Sequence, residues 1–217
     1  MLTVIGPIME SFGLTPGTHL RSDQQPDHPI SGVVQAMVYG GVSFCLVSVV
    51  AYSIWAFRLV PGTAGLYSAT AAVYVGLAGL ALSRLVDRRD AKRFPFLFAL
   101  GFLAYAICWC AFWFGLKGKF HADLWGAAVG LAAMTWLLRI RLSSFHGFLP
   151  LFAVLFTFHT LGYTLGGELY AIARGTTGRL LWGAAHGLGF GAGLGYVLWH
   201  CRGNSQNSVT SRVVSTS

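Results

Sequence analysis

Charge is what this 217-residue sequence has least of: only 10% of its residues are Asp, Glu, Lys or Arg, against about 25% in an ordinary soluble domain. So few charges cannot cover a water-facing surface of this size, which excludes a soluble globular protein. Acidic groups are scarcer than basic ones, seven against fifteen. The basic residues sit between apolar runs, where they orient a membrane chain and meet anionic head groups, so no nucleic-acid partner is expected. The four cysteines have no partner at metal-finger spacing. Cys108 and Cys110 point to different faces of a helix, which argues against a disulfide framework and leaves the cysteines as small buried residues. A typical signal peptide is also lacking: Met1–Gly13 has no positive n-region beyond the amino terminus and is interrupted by Pro7 and Glu10.

What is present is apolar. Hydrophobic residues make up 55% of the chain and the mean hydropathy is +0.62. Six runs stand out, at Ser31–Phe57, Thr63–Val86, Phe94–Leu116, Asp123–Leu138, Gly147–Tyr170 and Leu180–His200. Each lies near the ~20 residues that cross a hydrocarbon core of about 30 Å. The expected fold is an all-α polytopic membrane bundle of about six helices. The fourth run is the shortest, with five spans or a re-entrant segment as the alternatives, and the fifth has a possible break near its end. The domains expected are residues 1–30, a cytoplasmic segment with a short interfacial helix and a polar linker; residues 31–200, the membrane domain; and residues 201–217, a disordered cytoplasmic tail. With six spans, ten of the fifteen basic residues fall on the side of the termini. The positive-inside rule then puts both termini in the cytoplasm of a cell membrane, with a bacterial inner membrane as the expected location.

Small residues mark the helix contacts, because lipid tails leave hydrophobicity no role in pressing helices together. The second run carries Gly65, Ala69, Ala72, Gly76, Gly79 and Ser83 on one face, and the third carries Gly101, Ala104, Cys108, Ala111 and Gly115. These two are expected to pack antiparallel across their charged loop. The sixth has Gly183, Gly187, Gly191 and Gly195 on one face and Gly189 and Gly193 on another, which predicts a central helix touching two neighbours.

One polar constellation lies at membrane depth. His159 sits about 12 residues, or about 18 Å, into the fifth span, and His186 about 7 residues, or about 10 Å, from the start of the sixth. In antiparallel neighbours these depths nearly coincide, so the two histidines are expected to face each other with Tyr163 close by. Ionisable groups at such depth are costly and ask for a reason. A hydrogen-bonded pair across a helix interface, metal or haem ligation by His159 and His186, and acid–base chemistry all fit. Two ligands fall short of a zinc set. Glu168 lies nine residues after His159, on the opposite face of a continuous helix; it joins the site only if Gly166 and Gly167 break the helix, and otherwise pairs with Arg174 or Arg179. Asp123 reads as the N-cap of the fourth span.

Ala185-His186-Gly187-Leu188-Gly189, followed by Gly191 and Gly195, resembles the final helix of rhomboid intramembrane proteases, where a histidine on a glycine-lined helix activates a serine. The resemblance covers this stretch alone. The nearest counterpart of the family's G-x-S-G motif is Gly62-Thr63-Ala64-Gly65, with alanine at the nucleophile position and in another span, so the chain is not assigned to that family. No H-E-x-x-H motif and no deep carboxylate pair is present. The leading expectation is a non-enzymatic membrane protein without a cofactor, a structural or assembly subunit or a small carrier. Its partners would be the lipid bilayer and other membrane subunits or copies of itself. The alternatives are an enzyme acting on a lipid-like substrate through His159, His186, Tyr163 and Glu168, and a haem- or pigment-binding subunit.

Overall fold

A computed structural model describes residues 30–142, 144 and 146–202; the expected N-terminal segment and C-terminal tail fall outside this range. Ile30 and Ser31 belong to a first unit, and all the helices among the described residues belong to a second that begins at Gly32. Among the described residues there is no strand. The six long helices are α1 (Val33–Ala56), α2 (Thr63–Leu85), α3 (Phe94–Gly115), α4 (Ala122–Arg141), α5 (Phe148–Ala173) and α6 (Gly175–Arg202). A single helical turn, Arg88–Ala91, lies between α2 and α3.

Helices α1 to α5 are each long and apolar enough to cross a membrane. Along α1, Val34, Val38, Val42, Leu46 and Val50 recur every four residues and stand 49–68% exposed. An unbroken aliphatic stripe of this kind is a lipid-facing surface, because water would not tolerate it. The opposite face of α1 (Ala36, Gly40, Phe44, Ser48 and Ala51) is buried. At 28 residues α6 matches the others in length, but eight of those residues are glycine, which dilutes its apolar character.

That glycine content is explained by position, since α6 runs antiparallel between α1 and α5 and approaches both backbones closely. A Cβ on Gly187 would lie 2.6 Å from Cys45 Cα, and one on Gly183 2.7 Å from Tyr52 Cβ. Gly191 and Gly195 meet the carbonyls of Gly40 and Ala36 in the same way. On its other face, Gly193 abuts Leu155 and Gly189 meets the Phe158 carbonyl. The two glycine rows therefore serve two neighbours, as their spacing suggested.

Elsewhere the small-residue seams are used differently from expectation. The main partner of α3 is α4. A Cβ on Gly126 would come within 2.8 Å of Trp109 Cα, one on Gly130 within 2.8 Å of Tyr105 Cα, and Gly101 faces Met134. Only the C-terminal end of the α2 seam makes a comparable approach to another helix, where a Cβ on Gly79 would lie 2.7 Å from Pro95 Cα; Gly76 has nothing within 4 Å. Bulky side chains on α3 reach across to α2 instead, as where Tyr67 meets Trp109 and Phe114 with ring centroids 6.2 and 5.6 Å apart.

The helix ends depart from the hydropathy boundaries for identifiable reasons. The α5 helix is continuous through Gly166 and Gly167 to Ala173, and the chain turns at Arg174 instead, with φ 48°. The α6 helix starts at Gly175, before the apolar run, and within its first turns Arg179 donates to the terminal carbonyls of α1 at Trp55 (3.1 Å) and Ala56 (3.4 Å). A cation there also meets the negative end of the α1 dipole. The α4 helix is 20 residues long and extends to Arg141; Arg139 leans over the Trp136 ring and donates to the His146 carbonyl at 2.7 Å. His121, not Asp123, occupies its N-cap position, and it makes no side-chain cap bond. At the end of the bundle where α1, α3 and α5 stop, the residues Arg58, Lys117 and Arg174 all have positive φ. After α1 and α3 the backbone closes a Schellman pair: Leu59 N–H donates to Ile54 O and Arg58 N–H to Trp55 O, then Gly118 N–H to Trp113 O and Lys117 N–H to Phe114 O.

Candidate functional site

The interior is built from rings. Phe44, Tyr74, Phe98, Phe102, Tyr105 and Phe190, from four helices, pack at centroid separations of 4.9–6.5 Å. Tyr74 reaches this cluster because α2 makes a π-helical turn at Tyr74–Ala78, which rotates the helix locally, a distortion often found at functional positions. Its hydroxyl shares a 2.7 Å hydrogen bond with Ser48 Oγ.

His159 and His186 lie beside this cluster. Both are buried, with 2% and 7% of their surface exposed. Their rings stand edge to face, with centroids 5.0 Å apart. Tyr163 is next to both, 6.3 Å from His159 and 5.7 Å from His186. The structure therefore brings three of the four candidate residues together. Glu168 stands apart on the exposed side of α5, because the uninterrupted helix keeps it on the face opposite His159. Arg179, one of its anticipated partners, is engaged with α1 and stacked over Trp55 at 4.9 Å.

Each histidine is held by a tyrosine that the sequence pattern did not reveal. Tyr105 on α3 shares a 2.8 Å hydrogen bond with His159 Nε2, and Tyr52 on α1 a longer one, 3.4 Å, with His186 Nδ1. Tyr105 lies 54 positions from its histidine and Tyr52 134; no periodicity links such residues. The available signal was that a phenol deep in an apolar span needs a partner. The second ring nitrogen of each histidine, Nδ1 of His159 and Nε2 of His186, is buried without a hydrogen-bond partner, as is Trp182 Nε1. Among the described residues no group of three or more His, Cys, Asp or Glu side chains is placed to hold a metal ion.

A cavity of about 410 Å³ opens from His186 toward the end of the bundle where α1, α3 and α5 stop. Tyr52 and Trp55 of α1 and Leu66, Tyr67, Thr70 and Ala71 of α2 form one side. Tyr105, Trp109 and Trp113 of α3 form another, with Tyr163 of α5 and Trp182 and His186 of α6 closing it. Ten of its sixteen lining residues are Tyr, Trp or Phe, and none is Asp, Glu, Lys or Arg. The α2 wall is thin: no residue of Thr63–Val73 is buried.

The fold, its lipid-facing aliphatic surface and this interior define an all-α, polytopic integral membrane protein with an aromatic cavity that reaches one member, His186, of a buried histidine pair. Compared with models of protein families, with curated proteins and with solved structures, the chain matches none.

Proposed function

We propose that the protein binds a lipid-like small molecule within the membrane, as a small carrier or as the binding subunit of a larger assembly. The observation that carries this reading is the cavity: it is large, aromatic, free of carboxylates and amines, and set between helices, as ligand sites in helical bundles are. A purely structural subunit has no use for such a void, since an unfilled apolar cavity costs stability roughly in proportion to its volume. Catalysis through the histidines is the second reading. It is favoured by two imidazoles that each keep a free ring nitrogen beside tyrosine hydroxyls, but among the described residues no serine, threonine or carboxylate side chain is hydrogen-bonded to either imidazole.

Native mass spectrometry of protein released from mild detergent tests the proposal. A neutral lipid-like molecule is expected to stay bound at about one per chain, a ratio that follows from a single bundle interior. Ala106→Phe, which fills the cavity from α3, is expected to release it while the helices remain folded. If the wild-type chain carries no small molecule and takes up none of a panel of added hydrophobic compounds, the proposal fails.

We also propose six spans in a cell membrane, of the bacterial inner-membrane kind, with both termini cytoplasmic, on the excess of basic residues on that side. Cysteines placed at Lys119 and Lys92 report on this in intact cells: an impermeant maleimide is expected to label position 119 and not 92. The reverse pattern would invert the orientation.

A further inference from the structure

The polar atoms in the cavity wall describe the ligand more closely than its size does. This inference rests on the proposed binding function and deepens it. Three of the tyrosine hydroxyls around the cavity are already engaged: Tyr74 with Ser48, Tyr105 with His159, and Tyr52 with His186 Nδ1. Two lining residues keep a buried nitrogen without a partner, Trp182 at Nε1 and His186 at Nε2. They are four residues apart on α6, so they sit on one face, about one helical turn or ~5.4 Å from each other along the axis.

An indole N–H can only donate. The Trp182 nitrogen therefore asks for an acceptor, and a buried donor left without one is costly. His186 has two tautomers. When the Tyr52 hydroxyl donates to Nδ1, the proton rests on Nε2, and this nitrogen donates as well. The wall then offers two N–H donors one turn apart. No lysine or arginine lines the cavity to hold an anion, and no carboxylate to hold a cation. The walls are ring faces, which suit a flat π-system by offset or edge-on packing.

We infer that the cavity takes a quinone-type molecule: a neutral, planar ring with two opposed carbonyl oxygens, one accepting from Trp182 Nε1 and the other from His186 Nε2. An apolar tail on such a ring leaves past Leu66 and Thr70, where α2 forms the thin wall. The carbonyls recognise and orient the ring; no chemical change of the ring is part of the inference.

The test uses the full chain in detergent, cleared of bound lipid, with two probes. One is a benzoquinone carrying a ten-carbon alkyl chain. The other is the same alkylated ring with hydrogens in place of both carbonyl oxygens. The quinone is expected to bind at least about tenfold more tightly than the carbonyl-free ring, which is the factor carried by a single hydrogen bond of ordinary strength. Its carbonyl stretching bands, read by infrared difference spectroscopy with labelled carbonyl carbons, are expected to shift to lower frequency on binding. Trp182→Phe keeps the ring wall and removes only the donor, so it is expected to abolish one of those shifts and to weaken the quinone about tenfold without changing the affinity for the carbonyl-free ring. Equal affinity of the wild-type chain for the two probes overturns the inference while leaving a hydrophobic binding function in place. So does failure of the quinone to bind to a cleared chain that still takes up some other lipid. Because both probes are compared on the unaltered protein, the result does not depend on whether a variant folds.

Discussion

Gly166 and Gly167 are adjacent in the same helix, and alanine at the two positions is expected to move stability in opposite directions. Gly167 faces open space: a Cβ there meets nothing within 4 Å. The only effect of Gly167→Ala is then the loss of glycine's excess backbone freedom, a gain of about 0.5–1 kcal/mol in a helix interior. Gly166 faces Trp182. A Cβ there would lie 2.9 Å from the Trp182 carbonyl oxygen and 3.0 Å from its Cγ, and closer still to Cδ1. The nearest atoms are the base of the indole and the backbone, which cannot swing aside as the tip of a flexible chain would. Forcing α6 away from α5 costs about 1–3 kcal/mol. The helix-propensity gain is common to both variants and cancels in the comparison, so the difference between them is the steric part alone, about 1–3 kcal/mol. Reversible unfolding in mixed micelles, followed by far-ultraviolet circular dichroism, measures it. Gly167→Ala should lie above the wild type and Gly166→Ala below it. Equal stabilities, or Gly166→Ala as the more stable variant, would refute the close packing of α5 on α6 and with it the wall that Trp182 supplies to the cavity.

Two further perturbations follow from the same geometry. Tyr105→Phe removes the one hydrogen-bond partner of the His159 ring and leaves a buried imidazole with none, an expected loss of about 1–2 kcal/mol. In a double-mutant cycle with His159→Leu the combined variant should recover at least part of that loss, and strict additivity would show that the bond contributes nothing. Lys117→Gly places glycine at the left-handed position that ends α3 and should stabilise the chain by about 1 kcal/mol. Lys119→Gly, in the same loop but outside the positive-φ positions, should not; a similar gain from both would point to charge rather than backbone conformation as the cause.

Much of the fold is legible in the sequence because a bilayer imposes simple demands. A span needs an apolar run of set length with every backbone group bonded within its own helix, so hydropathy marks α1 to α5 to within a few residues. Glycine rows at helical spacing identify α6 as the helix with two close neighbours, because only glycine lets backbones approach that far. Antiparallel spans of known length also bring His159 and His186 to one depth by arithmetic alone. The sequence does not say which partner a small-residue face selects. The seam on α2 and the seam on α3 look alike, yet α3 turns its backbone toward Gly126 and Gly130 of α4 and meets α2 mostly through rings, since lipid-facing and helix-facing sides are equally apolar and only the shapes of all six helices together decide. Tertiary structure alone brings Tyr52 and Tyr105 to the histidines, from helices far away in the chain. It alone holds the helix of Glu168 unbroken and so keeps that carboxylate out of the site, and it alone leaves a void among the aromatic side chains. A cavity is what packing fails to fill, and no local pattern of residues encodes it.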